Sequence, residues 1–404
     1  MKGEIITTLA IVSLFFVTGL ASATSVSDQS IQTNATDIIY VDDDYNDATP
    51  GWQIDHFNCI QDAINASENS DTISVNNGVY PERIKVNKTL TLIGESNENT
   101  IIDSEQQGSP VTINADNSYI SDFKIINTSN YTRGHDYKMT GIVVNSDGNT
   151  IYHNTLSNHM QALELFSTSD NIIQNNIIKD NLMDFPDSPS IYGKGIALSE
   201  STNNKIIGNI FEFNYKGIVL NSESTNNNIS HNVLTDNYYG IICNSDENDI
   251  IENIIVTCNI TGMLISNSNE NTIYNNSIYD SLNGLMIEKS TLNEVSNNKF
   301  SHNQNTIVLK ESNDNKIFKN GIENSTKIGV YLEDSKSNQI YHNNFINCEK
   351  QATFLRSFFT KWTGNYWEKP HILPKMILGR MGKLFSLIPW VNFDWHPAKE
   401  PIDI

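Results

Sequence analysis

The sequence predicts an all-β chain folded as a single-stranded right-handed parallel β-helix with three-strand coils of about 22 residues. A glycine followed by an apolar residue recurs from Gly195 to Gly329 at spacings of 22, 23, 22, 22 and 45. A second pattern, Asn-x-Ile-x-x-Asn, recurs in step with these glycines. Apolar residues also alternate with other residues after each glycine, as in strands with one face buried. A repeat of this length indicates coils that stack on their neighbours.

The paired asparagines form two rows along the predicted solenoid. Asparagine tolerates left-handed backbone and hydrogen-bonds to nearby backbone, so we expect both rows to hold turns and to carry no chemistry. The second row contains the residues with the clearest structural role: Asn209, Asn232, Asn253, Asn276, Asn298, Asn320 and Asn343.

One outward row of the glycine strands is unusually apolar. It is predicted to consist of the residues two places after each glycine: Val219, Ile242, Leu264, Met286, Val308, Tyr331 and Phe354. A solvent-facing apolar column marks a contact surface, so we expect another segment to cover it.

The chain divides into four predicted segments. Residues 1–23 read as a signal peptide, with an uncleaved anchor as the alternative; residues 24–70 hold a capping helix over 56–67; residues 71–368 form the β-helix; and residues 369–404 form a basic and apolar tail. The signal predicts an extracellular or cell-surface protein. The net charge of −21 disfavours nucleic acid as a partner, and we expect a monomer.

Four cysteines suggest no disulfide framework. Cys243 is predicted to point into the core, and a Cys243–Cys258 bridge stays open as an alternative. Cys258 and Cys348 lie four coils apart, roughly 19 Å, which is too far to bridge. Nine sequons make a glycoprotein plausible if the host glycosylates surface proteins: Asn34, Asn65, Asn87, Asn127, Asn130, Asn228, Asn259, Asn275 and Asn324.

The segment DTISVNNGVYPERIKVNKTLTLIGE, followed by the glycine and asparagine coils, resembles the NosD-like group of parallel β-helix repeat (PbH1) proteins in the pectin-lyase-like superfamily. The resemblance covers roughly residues 38–368, and the YVDDDY stretch is similar to secreted archaeal surface proteins. It implies carbohydrate binding or cleavage, or a NosD-like role in copper maturation of an exported enzyme. No compact copper motif is visible, so copper is disfavoured. The paired-Asp and Gly-His-Gly signatures of polygalacturonase-like members are also absent, which disfavours catalysis.

Two insertions, at 127–140 and 181–194, enter just before Gly141 and Gly195, so we expect them at the same edge of one sheet. They supply the candidate ligand-binding residues: Arg133, His135, Asp136, Lys138, Asp184, Asp187, Tyr192 and Lys194. The candidate catalytic residues are Asp184, Asp187, Glu164, His135 and Arg133. Arg133 or Lys138 would neutralise a uronate, Asp184 or Asp187 would bind Ca²⁺ or act as acid or base, and His135 would move a proton.

Two terminal features add alternatives. Asp42, Asp43 and Asp44 are a candidate calcium site, with a solvated capping turn as the other interpretation. The tail is interpreted as a lid over the apolar row and the top coil, as an interfacial segment at 369–390 that touches anionic lipid, or as a docking element; its His371, Met376 and Met381 have no specific copper-binding spacing.

Three functions follow. The first is a non-catalytic cell-envelope scaffold that binds glycans or envelope proteins. The second is a polysaccharide lyase, hydrolase or epimerase that works between the insertions. The third is a NosD-like accessory factor. Substrate, metal content and attachment to the envelope stay open at this point.

Overall fold

A computed structural model of the chain confirms the predicted fold class, a right-handed parallel β-solenoid of about 13 turns. It describes residues 38–126, 140–184, 191–382 and 389–404. The predicted signal peptide lies outside these residues. Within the described parts, no helix has the length and apolar character needed to cross a bilayer.

Three stacks of parallel strands form the walls. Stack 1 contains the glycine strands: Ile84–Val86, Val111–Ile113, Thr140–Val144, Gln161–Phe166, Lys194–Ser199, Lys216–Leu220, Tyr239–Cys243, Thr261–Ser266, Asn283–Glu288, Asn305–Lys310, Ile328–Glu333, Ala352–Leu355 and Lys375–Arg380. Stack 2 contains Ile38–Val41, Thr72–Val75, Thr91–Gly94, Tyr119–Ser121, Thr150–Tyr152, Ile172–Gln174, Lys205–Ile207, Asn228–Ser230, Asp249–Ile251, Thr272–Tyr274, Glu294–Ser296, Lys316–Phe318, Gln339–Tyr341, Lys361–Thr363 and Pro389–Asp394. Stack 3 contains Gly78–Tyr80, Thr100–Asp103, Lys124–Ile126, Thr155–Ser157, Ile177–Lys179, Ile210–Glu212, Val233–Thr235, Ile254–Val256, Ser277–Tyr279, Lys299–Ser301, Gly321–Glu323, Asn344–Ile346 and Tyr366–Trp367.

The interior is a continuous apolar column. Each stack contributes a row of inward side chains, and neighbours in a row come from consecutive coils, as in the register Ile196↔Ile218↔Ile241. These side chains are fully buried. Cys243 belongs to the column, and all four cysteines are free. The alternative prediction of a Cys243–Cys258 disulfide is therefore wrong.

The corner between stacks 2 and 3 carries an uninterrupted asparagine ladder from Asn154 to Asn365. The backbone N–H and the side-chain amide of each asparagine donate to the Oδ1 of the asparagine one coil later, as Asn253 does to Asn276 at 2.9 and 3.0 Å. All of the ladder asparagines are buried. Because each buried donor has a partner in the next coil, the ladder locks the coil register.

The left-handed residue of this corner is not the ladder asparagine, contrary to the sequence-based expectation. It is the residue before each asparagine, where φ lies between +52° and +67°. His153, His231, Glu252 and Lys319 are examples. The asparagine's role is therefore hydrogen bonding, and the turn conformation falls on a residue whose type varies.

The corner between stacks 3 and 1 carries a mixed ladder. Its successive members are His159, Asn181, Asn214, Asn237, Cys258, Ser281, Asn303, Ser325 and Cys348. The His159 ring is fully buried, and its Nε2 lies 2.9 Å from the carbonyl oxygen of Ile125. Burial lowers the pKa of His159 to about 4, so the ring is neutral and Nε2–H donates to that carbonyl.

The N-terminal end is closed by a helix shorter than predicted. It spans Ile60–Ala66, because His56–Phe57 is a strand that pairs with Ile38–Val41. No side chain of the helix caps its own N-terminus; the Glu82 carboxylate accepts from the N–H groups of Ile60 and Gln61 at 2.7 and 2.9 Å. A tertiary contact thus sets the helix start.

The C-terminal end is closed by an antiparallel hairpin of the strands Lys375–Arg380 and Pro389–Asp394. Ile377 packs into the top of the core, and Asp394 is fully buried. The Asp394 carboxylate accepts from the backbone and side-chain amides of Asn365, each at 3.0 Å, and from Trp367 Nε1 at 3.1 Å. The last ladder asparagine therefore donates to a carboxylate instead of to another coil.

The outward row of stack 1 requires two corrections. Phe354 pairs with Leu332 and is buried, whereas Thr353 follows Tyr331, because this coil has 22 residues and not 23. The described part of the tail, residues 369–382 and 389–404, does not cover this row. Leu378 follows Thr353 and lengthens the row, and Thr353 Oγ1 donates to the Leu378 carbonyl at 2.8 Å. Tyr239 packs against the apolar cluster of Ala197, Val219 and Ile242 on this face.

Candidate functional site

Several predicted site residues cannot be placed. Those outside the described residues are Arg133, His135, Asp136, Lys138 and Asp187. Asp184 lies in a short hairpin, in which Met183–Asp184 pairs with Ile191–Tyr192. This hairpin is the described part of the second insertion, and it leads directly into the stack 1 strand Lys194–Ser199.

Three of the predicted site residues have described side chains. Tyr192 is exposed, and Lys194 and Glu164 are half-buried on stack 1. Lys194 pairs with Gln161 and Lys216, whereas Glu164 pairs with Val143 and Ala197. The register separates Lys194 from Glu164 by three residues along the strand, or about 10 Å, so the structure does not bring these two charges into contact.

Lysine and tyrosine side chains follow Lys194 in the next two coils. We call this group the lysine–tyrosine cluster, and its members are Lys194, Tyr215, Lys216, Tyr238 and Tyr239. Lys216 Nζ lies 5.8 Å from the centre of the Tyr215 ring. The Tyr215 ring lies 5.5 Å from that of Tyr238 and 5.8 Å, edge-on, from that of Tyr239. Three consecutive coils thus build one aromatic and cationic surface at the N-terminal ends of their stack 1 strands.

The glycines explain why these side chains face outward. Gly195 and Gly217 follow Lys194 and Lys216 directly. A Cβ at Gly195 would overlap the Gly217 carbonyl oxygen and lie 2.8 Å from the Phe211 ring, so this position faces the interior and has no room for a side chain. The residue before each glycine points to the opposite face, because successive side chains of a strand alternate between its two faces.

The two lysines are neighbours in register, and no acidic side chain in the described part of the chain pairs with them. Among the described residues, neither Lys194 nor Lys216 forms a salt bridge. Burial, followed by the charge of Lys194, lowers the pKa of Lys216. Two adjacent cations without a described acidic partner are unusual in a chain of net charge −21. A bound anion would relieve their repulsion.

The tyrosines complete a surface suited to a sugar. Burial, followed by the neighbouring Tyr215, raises the pKa of Tyr239. The Tyr239 phenol is therefore neutral at neutral pH. A neutral aromatic ring presents an apolar face and a hydroxyl at its edge, which can stack on the C–H face of a sugar ring and hydrogen-bond its hydroxyls. The arrangement can bind, and it holds no described acid–base pair at the lysines.

Sequence reasoning identified Lys194 and missed the rest of the cluster. Tyr215, Lys216, Tyr238 and Tyr239 stand in the two places before a glycine in consecutive coils. That alignment was the signal that could have found them. It is easy to overlook because the place directly before the glycine position holds Thr261, Asn283 and Asn305 in the following coils, which are ordinary polar residues.

The acidic run at the N-terminal end lies in a turn. Ligand oxygens of Asp42, Asp43 and Asp44 lie within 4.8 Å of one another. Asp42 accepts from Asp44 N at 3.0 Å and from the Asn76 side chain at 2.8 Å, while Asp43 accepts from Val79 N at 3.0 Å. These bonds support the capping-turn interpretation, and calcium binding stays a prediction.

The described residues do not fit a copper site. Within them, Asp42, Asp43 and Asp44 form the one group of three or more His, Cys, Asp or Glu side chains that lie close enough to share an ion. All three of its ligands are carboxylates. Copper favours imidazole, thiolate and thioether ligands, whereas carboxylates suit harder cations. Cys243 and Cys258 are buried in the core, where desolvation raises the pKa of Cys243 to about 11 and that of Cys258 to about 12.

Comparisons with known proteins agree with this architecture. Residues 183–372 match the family model described as periplasmic copper-binding protein (NosD), and residues 90–255 match the model of a right handed beta helix region. Among curated protein sequences, none matches the chain significantly.

Solved structures share the fold at low identity. DFA-IIIase from Arthrobacter chlorophenolicus A6 without its lid has 12% identity and a TM-score of 0.53, covering 82% of this chain and 95% of its own. The same enzyme in complex with GF2 has 14% identity and a TM-score of 0.52, covering 67% and 83%. A mannuronic acid specific polysaccharide family 6 lyase from human gut microbiota has 12% identity and a TM-score of 0.51, covering 73% and 77%.

Proposed function

We propose that this chain, a NosD-like parallel β-helix repeat protein with the pectin-lyase-like fold, is an exported protein that binds an anionic glycan at the lysine–tyrosine cluster. The observation that carries the proposal is the pair Lys194 and Lys216, adjacent in register and without a described acidic partner. Cations held against aromatic rings match a chain that alternates carboxylate groups with apolar ring faces.

The family and the solved structures support the same class of ligand and location. The NosD model is described as periplasmic, and one similar structure is a lyase specific for mannuronic acid, a carboxylated sugar. Export agrees with the apolar stretch at the start of the sequence. The role is binding, because the described part of the cluster offers cations and phenols for recognition and no carboxylate within reach of both lysines.

Calorimetric titration with oligosaccharides tests the proposal. Polygalacturonate and alginate fragments serve as anionic ligands, and inulin and dextran fragments of similar length serve as neutral ones. The double variant Lys194→Gln/Lys216→Gln should lose anionic binding by about tenfold or more, since charged contacts contribute about 1.5–3 kcal/mol each.

The matched control removes the same two charges elsewhere. Lys205 and Lys299 are exposed on stacks 2 and 3, so the variant Lys205→Gln/Lys299→Gln should keep its affinity within about twofold. Equal loss in both double variants would reduce the effect to net charge, and binding of neutral fragments as tight as that of anionic ones would overturn the proposal. Assays for new reducing ends and unsaturated products distinguish binding from turnover, with Asp184→Ala as the variant that should abolish activity in an enzyme.

A further inference from the structure

The capping hairpin has two unlike faces. Ile377 and Gly379 of one strand are buried against the top of the solenoid, where Gly379 lies against the Phe354 ring. Met376 and Leu378 alternate with these two residues, point away from the core and are 51% and 50% exposed. Capping the core therefore uses only one face of the hairpin.

The outer face is apolar across both strands. Met376 pairs with Phe393, and Leu378 pairs with Val391. The Phe393 ring lies 5.1 Å from that of Trp395, which is 62% exposed. The approach to the hairpin adds Ile372 and Leu373, exposed by 96% and 74%. We call this surface the apolar end face; its members are Ile372, Leu373, Met376, Leu378, Val391, Phe393 and Trp395.

The charge around this face is opposite to that of the whole chain. From Lys369 to Phe393 the sequence contains four Lys or Arg residues and no acid, whereas the chain has a net charge of −21. Lys369 and Arg380 are exposed beside the apolar residues, with Glu368 at the border of the segment. Cations that surround exposed aromatic and aliphatic side chains are the composition of a surface that lies at an anionic membrane interface.

A second copy of the chain is a less suitable occupant. Two end faces in contact about a two-fold axis would bring Lys369 and Arg380 of each copy near the same cations of the other. Like charges that approach at an interface cost several kcal/mol, whereas a layer of anionic headgroups attracts both residues. Aromatic residues such as Trp395 also favour the boundary between headgroups and acyl chains.

We propose that the apolar end face docks the solenoid, end-on, onto the surface of an anionic lipid bilayer. Six coil steps separate the strand Ala352–Leu355 from the strand Lys216–Leu220. At about 4.8 Å per step, Lys216 lies about 29 Å from the strand Ala352–Leu355, and the hairpin lies one step further on. Docking therefore holds the lysine–tyrosine cluster out of the headgroup layer and open to a glycan.

Flotation of the intact protein with vesicles tests this docking. The protein should float with equimolar phosphatidylglycerol and phosphatidylcholine vesicles, stay behind with phosphatidylcholine alone, and be released by added sodium chloride. Binding should shift the tryptophan emission to shorter wavelength, and brominated lipid should quench it, because Trp395 enters the interface. The variant Leu378→Gln/Phe393→Gln should lose at least tenfold in binding, and so should Lys369→Gln/Arg380→Gln.

Matched controls keep the outcome decisive. Leu292→Gln and Ile54→Gln remove apolar residues that are 55% and 78% exposed elsewhere, and they should bind vesicles as the natural chain does. Far-ultraviolet circular dichroism checks that each variant is folded. Equal binding to neutral and anionic vesicles, unchanged binding of both double variants, or a dimer in solution that Leu378→Gln/Phe393→Gln separates would each overturn the proposal.

Discussion

The corner between stacks 2 and 3 and the corner between stacks 3 and 1 are built by the same rule and differ in use. The first repeats asparagine in every coil from Asn154 to Asn365. The second mixes histidine, asparagine, cysteine and serine, and at Asn181 it admits the second insertion. The lysine–tyrosine cluster lies beside the mixed corner. A corner that needs the same hydrogen bond in every coil keeps one residue type, asparagine, throughout. The mixed corner accepts several residue types and an insertion, so other side chains can gather beside it.

The largest difference between the corners should appear on truncation of their ladders. Asn253→Ala removes the acceptor of the Asn232 backbone and side-chain amides and the donor to Ile229 O. Each buried group left unpaired costs about 1–3 kcal/mol, so the free energy of unfolding should fall by about 4 kcal/mol. Ser281→Ala in the mixed ladder leaves fewer groups unpaired and should cost about 1–2 kcal/mol. Urea denaturation measures both. Equal losses would show that the two ladders contribute alike.

The regular ladder should also depend strongly on its last acceptor. Asp394→Ala leaves the backbone N–H of Asn365 and Trp367 Nε1 without their acceptor and removes one of the two acceptors of the Asn365 side-chain amide, so the free energy of unfolding should fall by about 3 kcal/mol. The other carboxylate oxygen of Asp394 accepts from the N–H groups of Gly364 and His396, each at 3.2 Å. Asp394→Asn should therefore recover only part of this loss, because its NH₂ group would face N–H donors on one side or the other. Thermal unfolding followed by circular dichroism provides the comparison. Full stability of Asp394→Asn would contradict a requirement for an acceptor on both oxygens.

The mixed corner should impose a pH dependence that the asparagine ladder lacks. Burial lowers the pKa of His159 to about 4, below the value of about 6.5 in an unfolded chain. The unfolded state therefore binds the proton first, so stability is complete above pH ~6.5 and falls as pH drops towards ~4. Between pH ~7 and ~4.5 the loss should be about 2 kcal/mol in urea denaturation. His159→Asn, which restores a ladder residue, should remove this component; an unchanged profile in that variant would assign the pH dependence to other groups.

The smallest predicted effect is that of Lys216→Met, which should raise the free energy of unfolding and lower the affinity for glycan. Lys216→Met removes a half-buried cation that Lys194 repels, so the free energy of unfolding should rise by a few tenths of a kcal/mol, a size limited by solvent screening. Glycan affinity should fall. In the natural chain, affinity should also fall as alkaline pH deprotonates Lys216, below the pH at which an ordinary lysine titrates, because its pKa is lowered. Calorimetry at a series of pH values, with Lys205→Met as the control, measures both trends.

The candidate site was predicted only in part. Lys194 follows from the insertion at 181–194, because loops on a rigid scaffold concentrate polar residues. Tyr215, Lys216, Tyr238 and Tyr239 could not be recognised without the register that brings three coils together. Phe354 was misplaced by a single residue, and a shift of one residue in a strand exchanges its outer and inner faces. The roles of Glu82 and Asp394 as terminal caps depend on contacts with distant coils.

The sequence by itself determined the coil period, the two asparagine rows and the apolar column, because each follows from spacing within and between identical repeats. Alternation places the inward rows, and a period near 22 places each residue above its counterpart. The tertiary structure alone decided which residue takes the left-handed turn, where each end of the solenoid closes, and which outward side chains meet. Those outcomes depend on coils of unequal length and on side chains that do not repeat, so their neighbours exist only once the coils have stacked.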